Sequence, residues 1–240
     1  MKGQLLIACL AGLMALTSRA GVIYSARSGT IPDGNPAGWA ATATFSDELP
    51  VITGVTVDLS ISGGYNGDLY AYLSFDGKLL PLLNRVGVGT GGTRTDFGYS
   101  DTGMNIRLSD SGGNNIHFYQ EVTDYSITGG ATWKPDGRAI DPLSSAGNFN
   151  AGGTVSFLSQ FQGRNPNNVW TLFLADMSGG EQSQLVSWSL NITSEVPEPV
   201  NVALGIFAGV FLVVALARSQ RVRNRIYQWR AAVVAWINAV

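Results

Sequence analysis

Two stretches of strict alternation between apolar and polar residues constrain the fold most. Residues 55–62 alternate at every position, and residues 69–75 place Leu, Ala, Leu and Phe at every second position. A period of two puts one set of side chains in a core and the other in solvent, as in a β-strand. Asp76-Gly77 then predicts a two-residue turn into an apolar strand over 78–83, so residues 69–83 are predicted to form a β-hairpin.

Two later stretches, 170–174 and 186–193, alternate in the same way and predict a second antiparallel pair. The apolar positions of the latter are Val186, Trp188, Leu190 and Ile192. Weaker strands are predicted over 40–45 and 104–108, whereas the glycine-rich stretch 117–163 has little pattern. The chain contains 30 glycines and only 13% charged residues, against about 25% in ordinary soluble domains. These features predict an all-β fold, a single antiparallel β-sandwich over residues 21–194.

The N-terminal residues 1–20 have the organisation of a secretory signal peptide. Lys2 precedes an apolar stretch over 5–16, and Ser18-Arg19-Ala20 gives a small-x-small pattern before a cut after Ala20. An uncleaved N-terminal anchor is the alternative, because Arg19 is unusual so near a cleavage site. The single cysteine of the chain, Cys9, lies in this segment, so a cleaved chain would have no thiol for a disulfide, a metal or a nucleophile.

Residues 195–225 begin with a rigid corner and continue into an apolar run. Residues 200–217 carry no charge, and about 1.5 Å of rise per residue gives roughly 27 Å of helix, which spans a bilayer. Four arginines follow and mark the cytoplasmic side: Arg218, Arg221, Arg223 and Arg225. The corner ahead of the run ends the preceding fold because its two prolines fix φ and lack backbone donors; it consists of Val196, Pro197, Glu198 and Pro199.

The charge of the chain is unevenly distributed. All 17 acidic residues but only eight of the 15 basic residues lie between residues 21 and 199, so this part has a formal charge of −9 although the whole chain has −2. An acidic domain does not attract nucleic acid. It fits surroundings that are rich in cations or in neutral glycans.

From about Ile31 to Thr193 the sequence resembles the P domain, also called Homo B. This domain accompanies subtilisin-like proprotein convertases and occurs in many exported bacterial proteins. The resemblance rests on IPDGNPAG, ITGVTVDLSISGGYNGDLYAYLSFDGKLLPLLN and NNVWTLFLADMSGGEQSQLVSWSLNI. It includes the aromatic-x-Gly-Asp-Leu turn at 65–69 and the closing strands at Trp170 and Trp188. The resemblance implies a jelly-roll-like β-sandwich.

The corner, the apolar run and the arginines together resemble the PEP-CTERM sorting signal of Gram-negative bacteria. In that family an inner-membrane exosortase cuts near the motif and releases the protein to the cell surface or extracellular polymer. A linker before an ordinary tail anchor is the alternative. Such signals usually end soon after the arginines, but here residues 226–240 follow, with an apolar face typical of an interfacial helix.

The motifs of the common catalytic classes are missing from the sequence. The chain has one histidine, His117, and neither a Gly-x-Ser-x-Gly elbow nor a Gly-x-x-x-x-Gly-Lys phosphate loop. We therefore expect no catalytic residues and interpret His117 as a surface or half-buried strand residue. Glycosidase chemistry needs only two carboxylates, and four are considered: Asp47, Asp68, Asp110 and Asp176. Asp68 and Asp110 fit equally well as turn residues.

Two kinds of ligand remain as candidates. The oxygen-rich turns that contain Asp101 and Asp110 could hold calcium, with solvated turns as the alternative. Three tyrosines could form a platform for stacking sugars, although tyrosine on an exposed sheet face is also good strand filler, which we favour. They are Tyr65, Tyr70 and Tyr72.

The sequence thus predicts a non-enzymatic surface or extracellular-matrix protein with a β-sandwich interaction module. It would be exported across the inner membrane, anchored transiently by the C-terminal helix and processed by an exosortase-like enzyme. Extracellular polysaccharide and surface proteins are the expected partners, beside the membrane itself. A carbohydrate-binding module is the alternative function, and a hydrolase is the least favoured.

Overall fold

The computed structural model describes residues 16–25, 28–46, 49–197 and 199–238. Most of the predicted signal peptide, including Cys9, lies outside the described residues, and so do Asp47 and Glu198. The chain divides into two compact units, of which the larger spans Ser18–Glu195 and contains the sheets. The smaller unit contains Val196–Val240 with the two long helices.

The larger unit is mostly β-structure in two sheets. The strands are β1 (Leu16–Ser25), β2 (Gly29–Thr30), β3 (Trp39–Thr44), β4 (Gly54–Tyr65), β5 (Leu69–Phe75), β6 (Lys78–Asn84), β7 (Thr102–Ser109), β8 (Ala131–Trp133), β9 (Val169–Asp176) and β10 (Ser183–Pro197). The first sheet has the order β1-β10-β4-β7-β8, with β2 also on β10, and the second has the order β3-β9-β5-β6. The second sheet is antiparallel, whereas β7 and β8 pair in parallel.

The predicted alternation is confirmed in the strands that form the core. Along β4, Val57 and Leu59 are buried, and along β5 the same holds for Leu69, Ala71 and Leu73. Side chains from both sheets join one hydrophobic core. The amphipathic strands therefore form a β-sandwich because each sheet covers the apolar face of the other.

The predicted hairpin is also confirmed. Phe75 of β5 pairs with Lys78 of β6, and the two residues between them, Asp76 and Gly77, have φ of 49° and 69°. Positive φ at both positions is the backbone of a type I′ turn, whose twist matches that of the flanking strands. The Asp-Gly dipeptide thus closes the hairpin as its sequence predicts.

Two expectations about the later strands are wrong. The strands β9 and β10 do not pair with each other, because β9 lies between β3 and β5 in the second sheet and β10 pairs with β4 in the first. In β10 the register shifts between Leu185 and Ser187. As a result Leu185 is buried and Val186 is 46% exposed, although the sequence predicts Val186 on the core face. A bulge moves one residue out of the alternation, and a strict period of two cannot anticipate it.

Helices occupy only short parts of the larger unit. The helix α1 (Phe157–Phe161) has one turn and lies in the stretch that the sequence leaves unpatterned. Short 3-10 turns cover Asn66–Asp68, Ile116–Glu121 and Ala146–Asn150.

The smaller unit contains α2 (Pro199–Arg218) and α3 (Gln220–Ile237). Across the residues that the structure describes, none of the helices combines the length and the apolar character needed to cross a membrane. The membrane span over 200–217 therefore stays a prediction.

Candidate functional site

The one histidine of the chain lies in a buried ionic network. His117 is in a 3-10 turn and is 0% exposed, as is Asp136. Nδ1 of His117 lies 2.7 Å from Oδ2 of Asp136, and Nε2 lies 2.9 Å from the carbonyl oxygen of Val88. A carboxylate and a carbonyl both accept hydrogen bonds, so each ring nitrogen of His117 lies against an acceptor.

A buried guanidinium completes the network. The guanidinium Nη1 of Arg138 lies 2.7 Å from Oδ1 of Asp136, and its Nε donates to the carbonyl of Phe149 at 3.1 Å. Burial pushes the pKa of Asp136 upward, but the hydrogen bonds and charges of His117 and Arg138 outweigh burial and hold this pKa below its ordinary value. We define His117, Asp136 and Arg138 as the buried ionic network.

This environment corrects the interpretation of His117 as a surface or half-buried strand residue. The ring contacts no nucleophile through its nitrogens, since among the described residues its partners are the carboxylate and the carbonyl. Asp136 also accepts a hydrogen bond from the backbone N–H of Asn84 at the end of β6. The network thus fixes the loops of this region to the second sheet.

The outer face of the second sheet carries an aromatic cluster. It consists of Tyr70 and Tyr72 on β5 and Phe173 on β9, all half-buried. The rings of Tyr72 and Phe173 stack with centres 4.7 Å apart at an interplanar angle of 16°, and Tyr70 meets Phe173 edge-on at 6.4 Å. We call these three residues the outer aromatic cluster.

Of the three tyrosines predicted as a platform, the structure brings together two. Tyr65 ends β4 and pairs with Thr102 in the first sheet, whereas Tyr70 and Tyr72 lie in the second. Because Tyr72 and Phe173 stack on each other, each has one ring face covered by its neighbour. The cluster therefore packs in large part against itself, as strand filler does.

A shallow groove adjoins the cluster. It has a volume of about 290 Å³ and is lined by Tyr72, Ser74, Lys78 and Thr171, among others. Asp76 of the hairpin turn also lines it and forms an ion pair with Arg164. The groove thus combines an aromatic wall with side chains of both charges.

The two aspartates predicted as calcium ligands each have protein donors. Oδ2 of Asp101 accepts hydrogen bonds from Tyr119 and Gln120 at 2.9 and 2.6 Å. Asp110 accepts from the backbone N–H groups of Phe157 and Leu158 and so caps α1. In the described ranges no three or more His, Cys, Asp or Glu side chains are arranged to hold a metal ion.

The residues of the predicted sorting signal fall on several elements. Val196 and Pro197 end β10, Pro199 begins α2, and Arg218 is its last residue. The remaining arginines, Arg221, Arg223 and Arg225, lie in α3, which begins after Ser219. The chain is therefore helical both within the predicted span and through the arginine cluster.

No family model and no curated protein matches the chain. Two solved structures are similar to it: a serine protease of Aeromonas sobria with a TM-score of 0.37 and 15% identity, and the same protease in complex with the chaperone ORF2 with a TM-score of 0.38 and 14% identity. The matches cover 75% and 76% of this chain. The chain spans 27% of the length of either neighbour.

Sequence reasoning missed Asp136, Arg138 and Phe173. Asp136 is 19 residues from His117, and the stretch between them has no periodic pattern that would bring the two together. Phe173 occupies a position of β9 that the alternation assigns to the face away from the core. An aromatic residue at such a position is the sequence signal that could have identified it.

Proposed function

We propose that the chain is a non-enzymatic exported protein of the cell surface or extracellular matrix, and that its β-sandwich is an interaction module. The observation that carries the proposal is the environment of His117. A general base must be able to reach a substrate proton, yet this ring is buried and both of its nitrogens are engaged.

The proposed architecture of the module is a P-domain-like jelly roll. The strand order supports it, because the chain crosses repeatedly between the sheets: β3 lies in the second sheet, β4 in the first, β5 and β6 in the second, and β7 in the first. Neighbours such as β4 and β10 are far apart in the chain, as in Greek-key and jelly-roll folds.

Residues 195–225 are proposed to be a PEP-CTERM-type sorting signal that follows export by the signal peptide 1–20. A donor-poor corner is an extended segment that a membrane-embedded exosortase could bind and cut. Support comes from the order of the parts: Pro199 is the first of the 20 residues of α2, Arg218 is the last, and Arg221, Arg223 and Arg225 follow.

Substitution of the corner tests the sorting proposal. Glu198→Ala, with Pro197 and Pro199 kept, should block release and leave full-length protein in the inner membrane of a host that has the exosortase. The parent should yield a shorter form at the surface or in the medium, measured by cell fractionation and immunoblotting. Glu195→Ala is the matched control, since it removes a nearby acid outside the corner. If parent and both variants all stay full-length and membrane-bound, the corner is only a linker.

Binding of extracellular polysaccharide is a second candidate, favoured by the groove beside Tyr72. An aromatic wall with polar groups at its margin is the usual composition of a sugar site. A glycan array with the full-length chain in detergent should then give signals that Tyr72→Ala abolishes and Tyr65→Ala preserves, because Tyr65 lies in the other sheet. Equal binding by both variants would remove the groove as the site.

A further inference from the structure

The helix α3 exposes an apolar stripe along one side. We define the apolar stripe as Ile226, Trp229, Val233 and Trp236, which follow one another at spacings of three and four. At 3.6 residues per turn, such spacings place side chains one above another on the same side of a helix. Trp229 and Trp236 are 69% and 70% exposed, and Ile226 is 50% exposed. A row of large apolar side chains with this exposure marks a surface that binds an apolar partner.

Arginines lie on both flanks of the apolar stripe. At about 100° of rotation per residue, Arg225 lies about 60° to one side of the centre of the stripe and Arg230 about 80° to the other. Both residues are exposed. An arginine lays its alkyl part along an apolar surface and keeps its guanidinium in a polar layer. The arrangement therefore fits a boundary between an apolar phase and a polar one, which tryptophan also favours.

The charge of α3 selects among the partners that an apolar stripe could bind. The sequence of the helix contains four arginines and no acidic residue. A second copy of α3 would bring arginines together around the stripe, where like charges repel. Nucleic acid would neutralise the arginines but leave the tryptophans of the stripe in water. An anionic lipid surface matches both features, because its head groups attract the arginines and its outer acyl region takes up the stripe.

We propose that α3 lies in the plane of a membrane surface and binds anionic lipid head groups. The apolar stripe faces the acyl chains, Arg225 and Arg230 lie at the level of the head groups, and the side that carries Ala231 faces water. Four arginines within the 18 residues of α3 make a transmembrane placement of this helix costly. The proposal requires neither the exosortase nor the predicted span over 200–217. It gives a function to the residues that follow the predicted sorting signal.

Fluorescence labelling at single cysteines tests the proposal on the full-length chain. Cys9 is replaced by serine, and one new cysteine is introduced by Val233→Cys on the stripe or by Ala231→Cys on the opposite side of α3. Each labelled protein is reconstituted into phosphatidylcholine nanodiscs with or without phosphatidylglycerol. A nitroxide on the lipid head group and iodide in the buffer serve as quenchers. In nanodiscs with phosphatidylglycerol, the nitroxide should quench the label at position 233 and iodide should quench the label at position 231.

The double variant Arg225→Gln/Arg230→Gln tests the contribution of charge. Each arginine should contribute about fivefold to the ratio of membrane-bound to free α3, so the double variant should lower this ratio about 25-fold. The label at position 233 should then become accessible to iodide, as it should in nanodiscs of phosphatidylcholine alone.

Asn224→Ala/Gln228→Ala is the matched control, because these two exposed residues lie on the side of α3 away from the stripe. It should keep the quenching pattern of the parent. Equal access of iodide to both labels in nanodiscs with phosphatidylglycerol would overturn the proposal. Protection of the label at position 233 that depends neither on phosphatidylglycerol nor on the two arginines would also overturn it. The stripe would then contact protein, such as the acidic β-sandwich, or uncharged lipid.

Discussion

The β-sandwich contains two groups of buried charges that differ in how they are compensated. In the buried ionic network, Asp136 lies between His117 and Arg138, each 2.7 Å away, and its pKa is lowered although burial alone would raise it. Where β5 begins and β9 ends, Asp68 and Asp176 carry like charges, and burial together with the charge of Asp176 raises the pKa of Asp68 to about 6.

The difference lies in whether neighbouring groups compensate the charge of a buried carboxylate. The carboxylate of Asp136 contacts an imidazole, a guanidinium and a backbone N–H, and these contacts hold the loops in place, although Nη2 of Arg138 has no hydrogen-bond partner. A buried carboxylate beside a second one favours its protonated form, which is why the pKa of Asp68 is raised. Burial of charge therefore does not by itself fix the direction of a pKa shift, since the neighbouring groups decide it.

Removal of Asp136 should have the largest effect on stability. Asp136→Ala leaves His117 and Arg138 buried without their shared anion, and breaking a buried pair costs about 3–5 kcal/mol. Chemical denaturation of the full-length chain, followed by near-UV circular dichroism, measures this loss. Asp96→Ala, at an exposed position, should stay within about 0.5 kcal/mol of the wild type. Similar losses in the two variants would mean that the network does not stabilise the fold.

Asp68→Asn should raise the stability of the fold at neutral pH. The gain should be smaller than the loss expected for Asp136→Ala. Because the folded pKa of Asp68 is raised from 3.8 to about 6, its contribution to stability is complete below pH 3.8 and is lost as the pH rises through 6. Without metal, the wild type should lose about 1–3 kcal/mol in that window, at 1.36 kcal/mol per pKa unit. Asp68→Asn should lose less and be the more stable protein at pH 7.5.

Denaturation curves between pH 4 and pH 8 in the presence of a chelator measure this effect. Asp136 acts in the opposite direction, since a lowered pKa contributes stability that is present at high pH and lost on acidification. That loss lies below pH 3.8, outside this window, so Asp136→Asn serves as a control that should keep the wild-type pH dependence between pH 4 and pH 8. If the free energy of unfolding of the wild type and of Asp68→Asn depends on pH in the same way, the charge of Asp68 is not left uncompensated in the fold.

The ion pair between Arg164 and Asp76 should matter least. Both side chains are partly exposed, at 31% and 55%, so solvent screens their attraction. Arg164→Gln should change the free energy of unfolding by no more than about 1 kcal/mol. If Arg164→Gln lost nearly as much stability as Asp136→Ala, burial would not explain the difference between the exposed Arg164–Asp76 pair and the buried contacts of Asp136.

Much of the fold could be predicted from the sequence because it depends on local periodicity. The alternation in β4 and β5 and the Asp76-Gly77 turn depend on neighbours in the chain, and they were predicted correctly. The partners of β9 and β10 were not, since a period of two indicates a strand but not its sheet. The bulge at Val186 depends on the register against β4, which no local pattern specifies.

The sites were less predictable, because their members meet only in the folded chain. Asp68 alone resembles an ordinary turn residue, and its proximity to Asp176 depends on the pairing of β5 with β9. His117 is the single histidine of the chain, and no local sequence pattern indicates that it shares Asp136 with Arg138. Tyr65, Tyr70 and Tyr72 are close in sequence. Tyr65 nevertheless lies in the first sheet, whereas Tyr70 and Tyr72 lie in the second.

Titration of the aspartate side chains by NMR tests the difference between the two charge groups most directly. Full-length protein labelled with 13C at the aspartate carboxyl groups would be titrated without metal, with Asp68→Asn and Asp136→Asn used for assignment. We expect the Asp68 signal to titrate near pH 6 and the Asp136 signal to remain that of a carboxylate down to pH 4. Titration of both carboxyls near pH 4 would contradict this account.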